Sequence, residues 1–342
     1  MEIKINSRAK HSIYKQIVEQ VERGVRDGSL LPGDRLPSMN ELADRYKISR
    51  ETVKNAYGIL VEKSIIEPRH GKGFYVKELS SDVRTKVLVI FDKLSVYKEI
   101  LLDSLTSHLG QDAEITILNH DQNIDLLEYY LDTHLDSFDY YVIAPHFPRK
   151  DAEQQKRIVK LLERVPVRKL IMIDNLQSGM NGHFGAVYQD FDNDIHDCFE
   201  KNIDASDKVQ RLRVITLATS MYGPRISKSI ERFAAERFIQ AECMLGVPDD
   251  IERGDTFVLL NSSLDAGIVE LSRKIKEKGL MVGRDVRIIS YNEYPMNELI
   301  LGGLTTVSTD FPEMGRITAE MIRSHKLEKV RNPFRMTRRK SF

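Results

Sequence analysis

The chain contains only two cysteines, Cys198 and Cys243. Two can build neither a disulfide framework nor a multi-cysteine zinc site. No segment reaches about 18 uninterrupted apolar residues, which leaves no candidate membrane span. The first residues lack the apolar run of a secretion signal, so the expected compartment is the reducing cytoplasm. Low-complexity tracts and short-period repeats are missing too. So are three enzyme signatures: the G-x-S-x-G elbow, the Walker phosphate loop and H-E-x-x-H. No catalytic residue, cofactor or metal is therefore expected. Basic and acidic residues balance at 51 each, but unevenly along the chain. Residues 1–77 hold 15 Lys+Arg against 10 Asp+Glu, leaving 36 against 41 for the rest. A basic head on a mildly acidic body suits a nucleic-acid module joined to a regulatory unit. At 342 residues the chain exceeds a usual single core, so two or three domains are expected.

The head carries the most information. Ile13, Ile17, Val18, Val21 and Val25 recur at helical spacing, and Gly28 ends that helix. Pro32-Gly33-Asp34 reads as a turn. Ser38 and Glu41 then form a capping box for a helix over Met39–Tyr46. Ser49 caps the next helix, with Val53, Ala56, Tyr57 and Leu60 as its buried stripe. Two helices separated by so short a turn, the second opening on small polar and basic residues, have the layout of a helix-turn-helix. Ile65-Ile66 and Phe74-Tyr75-Val76 read as short strands around a basic, glycine-flanked turn at Arg69–Gly73.

Residues 11–77 resemble the winged helix-turn-helix of the GntR family. The match runs through Tyr14-x-Gln16-Ile17, Pro32-Gly33-x-Arg35-Leu36-Pro37-Ser38, Ser49-Arg50-x-Thr52-Val53, Leu60 and His70-Gly71-x-Gly73-x-Tyr75-Val76. The expected DNA-binding set is Arg35, Ser38, Ser49, Arg50, Thr52, Lys54, His70, Gly71 and Lys72. Ser49, Arg50 and Thr52 open the recognition helix, where backbone N–H groups favour phosphate. Arg50 can fork onto guanine O6 and N7, worth about 1–3 kcal/mol of discrimination. Lys54, one turn on, reaches a base or the backbone. For Arg35 a DNA contact is what the resemblance implies. Gly71 and Gly73 let the wing approach a minor-groove wall, with His70 and Lys72 at its tip. Tyr57 reads as packing ahead of contact.

Beyond a polar linker at 78–85, the pattern changes. Apolar runs of strand length appear at Val87–Phe91, Ile115–Leu118, Tyr140–Ala144, Leu170–Ile173, Val214–Ala218, Phe257–Leu260 and Val286–Ile289. Helical stretches separate them, among them Tyr97–Leu109, Asp151–Arg164, Ile226–Met244 and Asp265–Lys278. Continuous apolar strands alternating with helices imply parallel sheets covered on both faces. Residues 86–342 exceed one sheet's needs, so the expectation is an α/β multidomain chain with two α/β lobes after the winged head.

This second part resembles the periplasmic-binding-protein-like effector domain of LacI/GalR regulators. Leu304-Thr305-Thr306-Val307-x7-Gly315-x3-Ala319, Gly279-x3-Gly283-x-Asp285-Val286-Arg287-Ile288-Ile289, Asn261-x5-Gly267 and Arg232-x-x-Ala235 carry the likeness. Asn292 stands where the family usually has an acid, and Ser262 where it has Asp. Together with the head, the chain resembles arabinose-type repressors of sugar catabolism. In such a fold the ligand sits between lobes at the carboxyl ends of strands. The expected liners are Ser95, Tyr97, His146, Asp174, Asp190, Tyr222, Arg232, Asn261 and Asn292, with the two asparagines foremost. Planar Asp, Asn and Arg groups suit paired hydroxyls, and a Tyr ring suits an apolar sugar face. The expected partners are operator DNA, a second copy of the chain and a monosaccharide, with a pentose or deoxyhexose favoured. A nucleoside or purine effector is the alternative, and a sugar-modifying enzyme fused to a DNA-binding head is the remote one.

Overall fold

In the computed structural model, residues 5, 12–26, 29–69, 71–77, 84–148, 151–207, 209–260 and 266–342 are described. Contacts divide the chain into two compact units, residues 1–84 and 85–342. Most of the 78–85 linker lies outside the described residues, and its last residue, Thr85, begins a strand.

The first unit packs α1 (Ile13–Arg26), α2 (Met39–Tyr46) and α3 (Arg50–Glu62) with a hairpin of β1 (Ile66–Arg69) and β2 (Gly73–Val76). Its core joins Ile17 and Val21 of α1 to Leu42, Val53, Ala56 and Leu60. The capping box forms as the sequence predicts. Ser38 Oγ accepts from the Glu41 N–H at 3.2 Å, and the Glu41 carboxylate accepts from the Ser38 N–H at 2.6 Å. Two of the helix's orphan donors are thereby satisfied. Ser49 likewise accepts from the Thr52 N–H at 3.1 Å, starting α3. Residues 33–36 add a third edge to the hairpin: Gly33 N–H donates to Val76 O, Val76 N–H to Asp34 O and Leu36 N–H to Phe74 O, all at 2.8–2.9 Å. Tyr57 is buried, and its hydroxyl donates to Pro37 O at 2.7 Å.

The second unit begins with β3 (Thr85–Phe91), α4 (Val96–Leu109), β4 (Ala113–Asn119), α5 (Ile124–His134), β5 (Tyr140–Ile143), α6 (Ala152–Leu162), β6 (Leu170–Asp174) and β7 (Gly185–Tyr188). The chain then builds another lobe from α7 (Asp194–Asn202), β8 (Arg211–Ile215), α8 (Gly223–Glu236), β9 (Gln240–Met244), β10 (Asp255–Leu259), α9 (Ala266–Glu277), β11 (Arg287–Tyr291) and β12 (Thr305–Thr309). It returns through α10 (Phe311–Ser324) and β13 (Lys329–Arg331) and ends with β14 (Phe334–Thr337). The sheet orders are β13-β7-β6-β5-β3-β4 and β14-β12-β11-β10-β8-β9. All pairings are parallel except β12 with β14. The central strands β3, β5 and β6 of the first lobe are buried on both faces, by α4 and α10 on one side and by α5 and α6 on the other. Gly315 permits the α4–α10 approach: a Cβ there would lie 2.5 Å from Leu101 O.

One expectation is overturned. Ile226–Met244 is not a single helix: α8 stops at Glu236, Phe238 turns left-handed at φ 57°, and Gln240–Met244 form the edge strand β9. Pairing with β8 satisfies that segment's backbone, and Glu242 of β9 pairs at 2.5 Å with Arg213 of β8. Arg213 is buried and is also held by Asp250 and Asp255. A helical continuation would strand that buried guanidinium without one of its acids.

The chain passes between lobes three times, after β7, after β12 and after β13. Asn332, buried in the third crossing, ties all three together. Its N–H donates to Tyr188 O at 2.8 Å, and its Nδ2 donates to Thr309 Oγ1 at 2.7 Å and Asp310 O at 2.9 Å.

Candidate nucleic-acid interface and ligand cleft

Helix α3 has two faces. Val53, Ala56, Tyr57 and Leu60 are buried, while Arg50, Glu51, Lys54, Asn55 and Gly58 face outward. Of the sequence-predicted contacts, Arg50 and Lys54 are exposed on that outer stripe, and Lys54 pairs with Glu51 at 3.3 Å. Ser38 and Ser49 are committed to capping, and Ser49 also shares a 2.7 Å hydrogen bond with the Thr52 hydroxyl. The Arg35 side chain lies against the wing: a Cβ on Gly73 would sit 3.6 Å from its Nε. Gly71 is left-handed at φ 71°, and the Lys72 N–H closes the wing turn onto Arg69 O. His70 lies outside the described residues. The wing also carries Arg69, which stacks 4.6 Å over Tyr75 and was not among the predicted contacts.

In each lobe the strand order reverses once, between β3 and β5 and between β8 and β10. Loops leaving the carboxyl ends of strands at such a reversal splay apart and leave a crevice. Around it the structure gathers Asp92 after β3, His146 after β5 and Asp174 at the end of β6. Asp174 is left-handed at φ 69°. It accepts from Lys98 Nζ, from Gln189 Nε2 and, at 3.0 Å, from His146 Nε2. The Lys98 ammonium also faces Asp92 at 3.4 Å. With Nε2 donating to Asp174, Nδ1 of His146 shares a 2.6 Å hydrogen bond with the Tyr222 hydroxyl. That bond joins the two lobes. A second link runs from the Tyr291 hydroxyl to Gln189 Oε1 at 3.3 Å.

All these first-lobe groups are buried. Burial opposes ionisation of Asp174, yet the Lys98 ammonium and His146 outweigh it and hold the carboxyl well below the usual range. Burial likewise opposes the Lys98 charge, but Asp174 and then Asp92 raise its pKa. The second lobe contributes aromatics instead. Tyr222 stacks on Phe191 with centroids 3.9 Å apart, and beside it a cavity of about 120 Å3 is lined by Asn175, Gln177, Gln155 and Arg225.

Of the other predicted liners, Ser95 caps α4, and Tyr97 stacks on Phe311 at 5.3 Å. Asp190 accepts from the Asp192 N–H and from Asn193 Nδ2, shaping the start of α7. Arg232 does not join the cleft cluster. It is exposed and bonds Asn193 Oδ1 at 3.0 Å, because its position on α8 faces the α7 entry rather than Tyr222. Arg225, two turns earlier, lines the cavity and is held by Asp192. Asn292 follows β11 at φ 75°, and its Oδ1 is buried without a hydrogen-bond partner among the described residues. Asn261 lies outside the described residues. Sequence reasoning passed over Asp92, Lys98, Gln189, Arg225 and Tyr291. For Lys98 a signal existed: it is the charged member of the stripe Lys98, Leu101, Leu105 and Leu109.

Among the described residues, no helix is long and apolar enough to cross a membrane. Residues 13–76 match the gntR family of bacterial regulatory proteins, and residues 227–341 match a periplasmic binding protein-like domain. The HTH-type transcriptional repressor YtrA of Bacillus subtilis is 35% identical over 99 residues, which make up 29% of this chain and 72% of that protein. Among solved structures, a dimeric Lac repressor with an 11-residue C-terminal deletion is similar at TM-score 0.58 and 14% identity, over 75% of this chain and 98% of that one. The trehalose repressor from Escherichia coli is similar at 0.57 and 13%, over 74% and 99%. At such identities the likeness to the solved structures is one of fold. The chain belongs to the gntR family of bacterial regulatory proteins and is a DNA-binding transcriptional regulator whose winged helix-turn-helix precedes a two-lobed, periplasmic-binding-protein-like domain.

Proposed function

We propose that the protein is a homodimeric repressor of sugar uptake or catabolism genes, released from its operator by an uncharged monosaccharide held between the lobes. The observation that carries this reading is the buried hydrogen-bonded chain from Lys98 through Asp174 and His146 to Tyr222. It lies at the carboxyl ends of parallel strands and spans both lobes, so a ligand competing for it biases their separation. The names of the YtrA, Lac and trehalose repressors support repression, and the latter two support a sugar. The dimeric Lac repressor supports a two-fold assembly, and one winged helix covers too little duplex for useful specificity alone.

Charge supports an uncharged effector. Lys98 already faces Asp92 and Asp174, and Arg225 is paired with Asp192. At Lys98 a phosphate would have to displace a buried acid, Asp92 or Asp174, at the cost of an uncompensated charge. Sugar hydroxyls can instead donate to Asp174 and Asn292 Oδ1, and an apolar sugar face can stack on Tyr222. Asp190, Ser95 and Tyr97 support the surrounding loops. A pentose or deoxyhexose is the proposed effector.

Release follows if the sugar binds one lobe arrangement more tightly than the other, with a typical coupling of about 1–3 kcal/mol. A thermal-shift screen over monosaccharides, sugar phosphates and nucleosides tests the reading, repeated with Tyr222→Phe and Asn292→Gly. The expected result is a neutral-sugar hit weakened by both substitutions. A hit that survives both moves the site elsewhere. A nucleoside or sugar-phosphate hit overturns the effector class.

A further inference from the structure

Helix α3 contains a glycine in its third turn, Gly58, on the outward stripe that begins with Arg50, Glu51, Lys54 and Asn55. After proline, glycine is the poorest residue for a helix interior, because it loses the most backbone freedom on ordering. Inside a folded chain two conditions justify it: a left-handed backbone or a neighbour too close for a Cβ. Gly315 meets the second, since its missing Cβ would strike the α4 backbone. Gly58 meets neither. It is helical, it is not among the positive-φ glycines, and a Cβ built there meets nothing within 4 Å. The described fold gains nothing from it.

Gly58 continues the spacing of Arg50 and Lys54 along the same face, four residues further on. We infer that Gly58 is where the sugar-phosphate backbone of duplex DNA comes against the third turn of α3. The helix then lies along the groove wall and does not touch DNA with its first turn alone. This rests on the reading of the outer α3 face as the DNA-binding surface. A sugar-phosphate wall is an extended, closely packed surface, and the absent Cβ sets how near the helix axis approaches it. Because the partner is backbone, the effect is independent of base sequence.

The test uses the full-length protein, a duplex enriched by it from a randomised pool, and an unrelated duplex. Gly58→Ala should raise the melting temperature of the winged unit by about 4 °C through helix propensity. It should weaken both duplexes at least tenfold and by similar factors. Arg50→Ala should weaken the enriched duplex preferentially. If Gly58→Ala gains stability and binds both duplexes as tightly as wild type, the inference is wrong while the DNA-binding reading stands. If Gly58→Ala loses stability, an internal packing role replaces the DNA contact, and the inference is again wrong. If Arg50→Ala binds unchanged or the pool yields no enriched duplex, the reading of the α3 face itself fails.

Discussion

The two lobes share a strand order but meet the cleft with opposite chemistry. In the first lobe the strand ends carry Asp92, His146 and Asp174, knitted to Lys98 in a buried network. In the second, the corresponding ends offer Tyr222, Tyr291 and Asn292. Asp174, the last residue of β6, and Asn292, the first after β11, occupy matching strand ends in the two sheets, and both are left-handed. Asp174 accepts from three side chains, whereas Asn292 Oδ1 accepts from none among the described residues. At these matching positions the first lobe's acceptor is preorganised and satisfied, whereas the second lobe's retains capacity for a partner, as does the buried Asp92 Oδ1 of the first. Preorganised polar groups lose little on binding, so the effector's selectivity should come from the first lobe. The conformational response should come from the contacts that cross from the second.

Asymmetric substitution at the matching positions sharpens this contrast most. Asp174→Asn removes the nearest counter-charge of a buried ammonium and should destabilise the two-lobed unit by about 3–5 kcal/mol in urea unfolding. Asn292→Gly keeps the left-handed backbone and removes an oxygen that has no partner, so stability should stay within about 0.5 kcal/mol. Equal losses at the two positions would erase the distinction between the lobes.

Titration gives the next largest effect. The folded Asp174 carboxyl lies below its unfolded pKa of about 3.9, so its contribution is complete above that pH and is lost as pH falls through the folded value. Asp194, in the first turn of α7, behaves oppositely. Burial outweighs Arg331 and raises its carboxyl to about 6. The folded state therefore favours the protonated acid, and stability falls as pH climbs from about 4 to about 6. Across that window the stability difference between Asp194→Asn and wild type should move toward the variant by roughly 1–3 kcal/mol. A difference independent of pH would show that Arg331 fully compensates the buried charge.

Tyr222→Phe should lower stability by about 1 kcal/mol, since it removes one cross-lobe hydrogen bond and keeps the stack on Phe191. Its consequence should fall on coupling between sugar and DNA.

What the sequence disclosed follows the range of the interactions. The capping box at Ser38 and Glu41 is local, and the helix-turn-helix was legible from it together with the Arg50–Leu60 pattern. Asp174 and Asn292 were legible because strand ends can be read from apolar runs. β9 was missed because Gln240–Met244 takes its state from pairing with β8 and from the Arg213–Glu242 ion pair. Lys98 was overlooked because a lysine on a helix is ordinarily solvated, and its acids come from β3 and β6. Arg232 matched a pattern, yet only the rotation of α8 decides that Arg225 faces the cleft instead. Asn332 gave no local signal at all: its partners lie in two segments far from it in sequence, at Tyr188 and at Thr309-Asp310.

The central claim is that a neutral sugar between the lobes loosens the winged unit's grip on DNA. It is tested most directly by the affinity of the full-length protein for its enriched duplex, with and without a saturating sugar from the screen. Wild type should bind about 5–150-fold more weakly with sugar present, and Tyr222→Phe should lose most of that change while retaining its sugar-free affinity. An unchanged or tightened duplex affinity in saturating sugar would contradict the account.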